Sequence, residues 1–398
     1  MKRWPTKPLG EVCSVNPKLA ASDAPAADAK VIFVPMAAVD EVSGTIARPE
    51  NRRYSEVAKG YTPFRENDVL FAKITPCMQN GKAAVARDLR GGFGFGSTEF
   101  HVLRSAGSVL PRWVFAFIRQ PAFRDAAEGS FTGSAGQQRV PSDFLKAFPI
   151  PVPPLAEQER IVKLLDEADE LRKLRNQADR RTADLIPALF HEMFVESENK
   201  KNQWSRTSLA SLCSKIVDCP HSTPIYAMSE TPYKCVRSSD IQEGKLDWSS
   251  TKYVDELEYA KRVKLLVPRP GDVVFCREGA RLGNAALLTD EKQVCLGQRM
   301  MLFRVEPAVA TPEFLCAFLL NPVVQKVIWN LVGGSASPHL NVGHIKEFVV
   351  TLPPLPLQKE FAARVSEIRT LQAEQATSRH RLDDLFHSLL HRAFQGEL

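Results

Sequence analysis

The stretch "VPPLAEQERIVKLLDEADELRKL" begins at Val152, and "LPPLPLQKEFAARVSEIRTLQAE" begins two hundred residues later at Leu352. Each has a double proline, then a leucine, a glutamine and a long helical pattern. Because proline neither continues a strand ladder nor lies deep inside a helix, each pair predicts a stiff extended segment that leads into a helix. From position 153 to 194, 12 of the 42 residues are identical to the residue two hundred positions later. The pattern predicts a duplicated helical element.

The repeat extends beyond these helices into the rest of the 398-residue chain. Trp4 recurs as Trp204, and "NDVLF" at Asn67 matches "GDVVF" at Gly271. A repeat unit of about half the chain is too long for a solenoid. It therefore indicates a duplicated module, made of a globular domain followed by a helix.

Each globular part has the pattern of a mixed fold. Short β-type runs such as "KVIFVPM" at Lys30 and "DVVFCRE" at Asp272 are separated by glycine, proline and asparagine. Stretches from Leu110 and from Thr311 predict a helix, a proline step and a second helix. We therefore expect the α+β class, with two tandem α+β domains. The expected boundaries are a first globular domain at 1–152, a helix at 153–194, a linker at 195–203, a second globular domain at 204–351 and a second helix at 352–398.

The two predicted helices carry apolar residues at heptad spacing, which is typical of one seam of a coiled coil. Since only a short polar linker follows the first helix, the second is expected to run back along it. This predicts an antiparallel pair, pseudo-two-fold symmetry and a quasi-circular chain. About 30 helical residues would hold the domains on the order of 45 Å apart. The predicted seam positions are Ile161, Leu164, Ala168, Leu171, Ala178 and Leu185 in the first helix and Phe361, Ile368, Leu371, Leu382, Leu385 and Leu389 in the second.

The composition is that of a globular protein of two or three domains, with 44% hydrophobic and 25% charged residues. No apolar run approaches the roughly 20 residues needed to cross a bilayer, and no signal-peptide pattern is visible. A cytoplasmic protein without a membrane partner is expected. Eight cysteines without zinc spacing predict reduced thiols and no metal site. The net charge is +6, and residues 1–150 hold 20 Lys and Arg against 14 Asp and Glu, which favours contacts to phosphates and bases.

Motifs of catalysis are missing from the sequence. It has no phosphate-binding loop and no zinc-protease motif, and "DIQEGK" at Asp240 only loosely resembles a nuclease centre. A binding protein is favoured. Two spaced domains suit a two-part site on duplex DNA, whose half-sites on one face lie about 34 Å apart. Two alternatives stay open, a two-domain coiled-coil adaptor between proteins and a nuclease with a degenerate active site.

The organisation resembles the specificity subunit of type I restriction-modification enzymes. The resemblance rests on the Pro-Pro-Leu-x-x-Gln motifs at Pro153 and Pro353, on "DCPHSTP" at Asp218 and on "RPGDVVFCREGARLGNAAL" at Arg269. It implies a non-catalytic subunit with two target-recognition domains that read a split, asymmetric double-stranded DNA sequence, and with helices that space the domains and dock two methylation subunits. It also implies restriction and translocase subunits, with S-adenosylmethionine, ATP and Mg on those partners and no cofactor on this chain. The helix residues expected to serve in spacing or docking are Gln158, Ile161, Leu171, Leu185, Gln358, Leu371 and Leu385.

Loops that match between the two copies hold the residues predicted to contact DNA. Their polar and cationic side chains suit phosphate oxygens and base edges. No catalytic residue and no metal ligand is predicted. The candidates in the first domain are Lys73, Gln79, Lys82, Ser134, Gln137, Gln138 and Arg139. Those in the second domain are His221, Arg277, Arg281, Asn284, Ser335, Ser337 and His339.

Overall fold

A computed structural model describes residues 4–134, 136–196, 204–242, 244–289, 292–332 and 338–398. The chain divides into two compact units. Unit 1 comprises residues 1–177 and 376–398, and unit 2 comprises residues 178–375. Both units mix helices and sheets, so the α+β class predicted from the sequence is confirmed.

Two four-stranded sheets form the centre of unit 1. One is antiparallel with the order β2-β9-β6-β7, and the other has the order β4-β3-β8-β5 with β3 and β8 parallel. Their strands are β2 (Cys13–Val15), β3 (Lys30–Val34), β4 (Glu50–Arg53), β5 (Thr62–Arg65), β6 (Val69–Ala72), β7 (Ala83–Val85), β8 (Phe93–Gly96) and β9 (Phe100–Ser105). All four residues of β6 are buried, which explains its uninterrupted apolar run. Gly94 is required in β8 because a Cβ there would lie 2.3 Å from the ring of Phe64.

Helices cover the first of these sheets. Proline at the first position of two of them fits its fixed φ, and Trp113, Phe117 and Phe123 from these helices lie in the core. The short helices of unit 1 are α1 (Leu9–Val12), α2 (Tyr54–Val57), α3 (Pro111–Ile118), α4 (Pro121–Gly129) and α5 (Ser142–Ala147).

Unit 2 repeats the first sheet and varies the rest. Its four-stranded sheet has the order β12-β20-β17-β18, and a three-stranded sheet has the order β16-β13-β19. The strands are β12 (Cys213–Asp218), β13 (Tyr233–Val236), β14 (Ile241–Gln242), β15 (Lys245–Leu246), β16 (Lys252–Tyr253), β17 (Val273–Cys276), β18 (Ala285–Leu287), β19 (Gln293–Leu296) and β20 (Met300–Val305). Its shorter helices are α7 (Leu185–Phe194), α8 (Glu256–Arg262), α9 (Pro312–Leu320), α10 (Pro322–Val332) and α11 (Val342–Lys346).

The first and last strands of each globular domain form a separate two-stranded antiparallel sheet, here called the terminal strand pair. In unit 1 it joins β1 (Thr6–Pro8) to β10 (Pro149–Pro151), and in unit 2 it joins β11 (Ser205–Ser208) to β21 (Val349–Leu352). Each pair ends just before a double proline. The start and the end of each domain are therefore held side by side.

The two long helices differ in continuity. The sequence predicts one helix over 153–194, but the structure has α6 (Leu155–Ala183) followed by α7, with Asp184 between them. Pro187 accounts for the break, because its ring has no N–H and clashes with the carbonyl four residues earlier, at Ala183. The corresponding residue two hundred positions later is His387, and there α12 (Leu355–Gln395) continues through 41 residues.

Each unit contains its own antiparallel contact between the long helices. In unit 1 the Arg172 Nε donates to Asp383 Oδ1 at 2.7 Å. Ile161, which precedes Arg172 in the chain, lies in one core cluster with Leu390 and Ala393, which follow Asp383. In unit 2 the Thr182 hydroxyl donates to Gln375 Oε1 at 2.7 Å, and the rings of Phe190 and Phe361 lie 5.8 Å apart. The antiparallel pairing predicted from the sequence is therefore present within each unit.

The predicted heptad seam is wrong at four leucines. Leu171 and Leu385 in unit 1 and Leu185 and Leu371 in unit 2 are 39 to 52% exposed. The buried stripe of α6 instead follows Ile161, Leu165 and Ala168 and is then continued by polar contacts. Because the pairing register follows that stripe, the four leucines lie beside the contact, on the solvent side.

Both glutamines of the repeated motif, expected to serve in spacing or docking, are buried. Gln158 and Gln358 are each 0% exposed. Each side-chain nitrogen donates at 2.8 Å to the carbonyl of the first proline of its motif, Pro153 or Pro353. Each glutamine therefore fixes the start of its helix against its own globular domain.

Within the described residues, no single helix has the length and apolar character needed to cross a membrane. The pair α9 and α10, bent by 59° at their junction, meets the criterion only when both helices are taken together. Phe314, Leu315 and Ile328 from this pair are buried in the core of unit 2.

Candidate nucleic-acid interface

Five polar residues from three segments of the chain meet at one edge of the main sheet of unit 2. We call them the unit 2 cluster: Asp218, His221, Arg277, Glu278 and His339. Arg277 follows β17, and its Nε donates to Asp218 Oδ1 at 2.8 Å while its Nη2 lies 2.9 Å from Glu278 Oε1. Its Nη2 is also 3.3 Å from His221 Nδ1, and its Nη1 is 3.2 Å from both ring nitrogens of His339. The motif at Asp218 and the motif at Arg269 are thereby brought into one site.

Arg277, predicted to contact DNA, does not have the exposed side chain expected for such a contact. The residue is 2% exposed, and its donors face protein side chains. The two histidines are different, since the side chains of His221 and His339 are 75% and 51% exposed. In this cluster the histidines face solvent and the arginine lies behind them.

Unit 1 builds the same backbone framework with other side chains. Lys73 N–H donates to Glu99 O and its carbonyl accepts from Val140 N–H, both at 2.9 Å. In unit 2 the same two bonds join Arg277 to Arg299 and to Leu340, again at 2.9 Å. Isolated bridges place Arg139 beside Ile74 in unit 1, and they place His339 beside Glu278 in unit 2. We call Lys73, Glu99 and Arg139 the unit 1 cluster.

Corresponding positions of the two clusters carry different chemistry. Lys73 corresponds to Arg277, Glu99 to Arg299, and Arg139 to His339. Sequence reasoning missed Glu99, Arg299 and Glu278. The first two show a signal, because they are related by the repeat offset of two hundred and have opposite charge.

An ion pair holds the unit 1 cluster together, and a buried histidine lies next to it. Arg139 donates from Nε and Nη2 to the two carboxylate oxygens of Glu99, each at 2.9 Å. These bonds lower the pKa of Glu99, so the pair is ionised at neutral pH. Next to it His101 is 4% exposed and its Nε2 lies 2.8 Å from Val140 O. Burial lowers the pKa of His101, which keeps its ring neutral.

A second loop in each unit holds the other matched candidates. Lys82 in unit 1 corresponds to Asn284 in unit 2, because their carbonyls accept from Ala72 N–H and Cys276 N–H at 3.0 and 2.8 Å. Lys82 Nζ lies 3.4 Å from a carboxylate oxygen of Glu41. These loops follow the strand that leads to each cluster.

The remaining candidates occupy exposed or half-buried loop positions. Gln79 Nε2 donates to Glu128 Oε1 at 2.6 Å, and Arg281 Nη1 donates to Ile241 O at 3.3 Å. Ser134 and Gln137 are exposed, and Gln138 is half-buried. The predicted contacts Ser335 and Ser337 lie outside the described residues.

An open cleft of about 400 Å³ lies next to the unit 1 cluster. Tyr54, Tyr61 and Phe95 contribute aromatic surface, and Lys73 and Asn16 contribute polar groups. For metal binding, the part of the chain that the structure describes contains no group of three or more His, Cys, Asp or Glu side chains able to hold an ion.

Comparison with known proteins gives a family for this architecture. The pattern of the type I restriction modification DNA specificity domain matches residues 1–180 and 227–378. The specificity subunit of the type I restriction enzyme EcoEI from Escherichia coli is 35% identical over 213 residues, which is 52% of this chain and 35% of the relative. That of EcoAI, also from Escherichia coli, is 35% identical over 195 residues, 49% of this chain and 32% of the relative. The chain therefore spans about a third of the length of these two relatives.

A solved structure with the same fold is also known. It comes from work on complex assembly and conformational transition of the type I R-M system. The TM-score is 0.64, with 20% identity over 99% of this chain and 98% of the other chain. At that identity the likeness shows the fold.

Proposed function

Because this chain belongs to the type I restriction modification DNA specificity family, we propose that it reads a two-part, asymmetric sequence in double-stranded DNA, one part with each globular domain. The observation that carries the proposal is the pair of clusters, which share backbone bonds but not side chains. Sequence is read by side chains at base edges, while a common framework sets their position. Two copies of one framework with different side chains are suited to two unlike half-sites.

The proposed contacts of the first domain are the cationic and amide side chains around the unit 1 cluster. Lys73 and Arg139 suit phosphate or guanine, and the glutamines suit adenine. Arg139 is already paired with Glu99, so a base contact requires that pair to turn outward or to present its free edge. The full proposed set is Lys73, Gln79, Lys82, Ser134, Gln137, Gln138 and Arg139.

In the second domain we assign the proposed contacts to the exposed members of the site. His221 and His339 project from the unit 2 cluster, and Arg281 and Asn284 lie on the matched loop. We leave Arg277 out of this set because it is buried. One framework carries a lysine and an arginine, and the other carries two histidines. We therefore expect the two domains to bind different half-sites.

We further propose that the long helices set the gap between the half-sites. The α6 helix has 29 residues and α12 has 41 residues. At ~1.5 Å per residue these helices are about 44 and 62 Å long, comparable with one to two turns of duplex. The hydrogen bonds of Thr182 with Gln375 and of Arg172 with Asp383 favour one register over a slipped one.

The exposed leucines of the long helices support the proposed docking of two methylation subunits. Leu171 and Leu385 belong to unit 1, and Leu185 and Leu371 belong to unit 2. Leu171 corresponds to Leu371 in the repeat, and Leu185 corresponds to Leu385, because the members of each pair are two hundred positions apart. Two equivalent apolar sites, one in each unit, suit two copies of one partner.

The catalytic steps are proposed to lie on the partners. Methylation subunits would bind S-adenosylmethionine, and restriction and translocase subunits would bind ATP and Mg. The named relatives are specificity subunits. The role proposed for this chain is recognition.

Selection from randomised duplexes tests the proposal. The full chain, alone and together with a methylation subunit, should enrich two short unlike motifs with a fixed gap. A contiguous motif, or none in either setting, would contradict the proposal and favour the adaptor. Metal-dependent cleavage by the chain alone would favour the degenerate nuclease.

A further inference from the structure

Arg277 is the centre of the unit 2 cluster and has no open side. Its backbone is fixed by the bonds to Arg299 and Leu340, and its side chain is 2% exposed. A guanidinium is a donor only and carries five N–H groups in a rigid fork. Here the fork serves Asp218, Glu278 and the two histidines. An arginine so engaged acts on its neighbours rather than on a ligand.

The groups that Arg277 holds are two histidines from loops far apart in sequence. His221 has Arg277 Nη2 at 3.3 Å from its Nδ1 and Asp218 Oδ2 at 3.3 Å from its Nε2. Because arginine only donates, the neutral His221 ring accepts at Nδ1 and donates from Nε2 to Asp218. Gln298 also donates to the His221 carbonyl at 2.8 Å. The orientation of this ring is fixed on both sides.

His339 is placed in the same manner. Its Nδ1 lies 3.0 Å from Glu278 Oε1, and Arg277 Nη1 lies 3.2 Å from its ring nitrogens. The bridge between Glu278 and His339 fixes the backbone of this loop. One arginine and two carboxylates therefore present two exposed imidazoles at the same edge.

Charged groups surround the two imidazoles. Among the described residues, Arg277, Asp218 and Glu278 lie within 4 Å of the two rings.

The unit 1 cluster has no counterpart of this device. Lys73 stands at the position of Arg277, and the Arg139 pair with Glu99 replaces the histidine. The nearby histidine, His101, is buried. Unit 1 can therefore serve as an internal reference for unit 2.

We propose that Arg277 is a positioning residue, which does not touch DNA but holds His221 and His339 as the pair of side chains through which unit 2 discriminates its half-site. The inference rests on the proposed function and deepens it at one of the two half-sites. The second half-site is then read by two imidazoles that the buried Arg277 orients.

The test uses the full chain and duplexes in which only one half-site is varied. We expect Arg277→Met to lose about tenfold of its preference for the second half-site, the cost of roughly one wrong base pair, with the first half-site preference unchanged. Arg277→Lys should restore part of the preference, since one ammonium keeps the charge but cannot hold four groups. Lys73→Met is the matched control and should alter the first half-site alone.

The double histidine variant separates positioning from a merely structural role. His221→Ala with His339→Ala removes exposed side chains, so it should fold normally and lose the second half-site preference while it keeps the first. Thermal unfolding of every variant is measured alongside.

Three results would overturn the inference. The first is a second half-site preference that survives Arg277→Met or the double histidine variant. The second is an equal loss at both half-sites together with a lowered midpoint of unfolding, which would make Arg277 structural only. A chain that selects no split motif at all would instead overturn the proposed function, and the inference with it.

Discussion

The side-chain oxygen of Gln158 accepts a hydrogen bond from the backbone N–H of Leu110 at 2.8 Å. Its nitrogen donates to Ser108 O at 3.0 Å and to Pro153 O at 2.8 Å. Gln358 likewise accepts from Thr311 N–H at 3.0 Å and donates to Pro353 O. Each glutamine thus joins the start of a long helix to the residue before the first core helix of its domain.

Replacing Gln158 by alanine should lower the free energy of unfolding by on the order of 2 to 4 kcal/mol, because three backbone groups lose their partner, the carbonyl of Pro153 in a buried bond and the other two in part-buried bonds. Urea unfolding followed by circular dichroism measures the change. The exposed neighbour Glu159→Ala is the matched control and should stay within about 0.5 kcal/mol of the parent. Equal stability of the two variants would contradict the structural role.

The double variant Leu171→Glu with Leu385→Glu should weaken binding of a methylation subunit to unit 1 by about tenfold or more, since a charge replaces apolar contact area. The fold should be retained, as both side chains are half exposed. Calorimetric titration of the complex measures the affinity, and Leu185→Glu with Leu371→Glu provides the same change in unit 2. The control is Leu257→Glu, an exposed position on α8. Unchanged binding by both leucine pairs would place the docking surface elsewhere.

Inserting four residues near Arg175 and four near Gln375 should lengthen the gap in the selected DNA by one or two base pairs. Four helical residues add ~6 Å, and base pairs are spaced at ~3.4 Å. Selection from randomised duplexes reads the gap directly. A gap of unchanged length would show that the helices do not set it.

The stability of unit 1 should fall as the pH is lowered below the ordinary histidine pKa of 6.5, through His101. Burial lowers the pKa of this ring in the folded state, so the unfolded chain takes up the proton first. The contribution is present in full above that pH and is lost progressively as the pH falls toward the folded-state value. Urea unfolding between about pH 5 and 8 should show a flatter profile for His101→Gln than for the parent. His387→Gln, an exposed histidine of the same unit, should keep the parental slope.

The repeat allowed the class, the duplication and the antiparallel helices to be predicted, because contacts between identical residues recur in the two copies. Asp68 accepts from Arg104 Nε at 2.8 Å, and Asp272 accepts from Arg304 Nε at the same distance. Such pairs are visible in the amino-acid sequence itself as matched residues. The direction in which an individual side chain points leaves no such mark in the repeat.

Arg277 shows why part of the candidate site could not be predicted. Its partner Asp218 is 59 residues earlier, and a cation in a glycine-containing loop has the same local pattern whether it faces DNA or a carboxylate. The prediction that the four helix leucines lie in the seam was wrong for a related reason. Heptad spacing allows more than one stripe, and the polar contact between Arg172 and Asp383 decides which stripe is paired.

The terminal strand pairs bring the two ends of each globular domain together, β1 with β10 and β11 with β21. A domain that is excised at these strands begins and ends at the same place in the fold. A foreign domain with the same strand pairing can therefore be inserted without changing the path of the surrounding backbone. Recombination between genes can then exchange one domain while the other domain keeps its own contacts, provided that the incoming domain supplies the backbone groups that Gln158 or Gln358 binds. On this chain, the exchange of a whole domain requires only two crossover points.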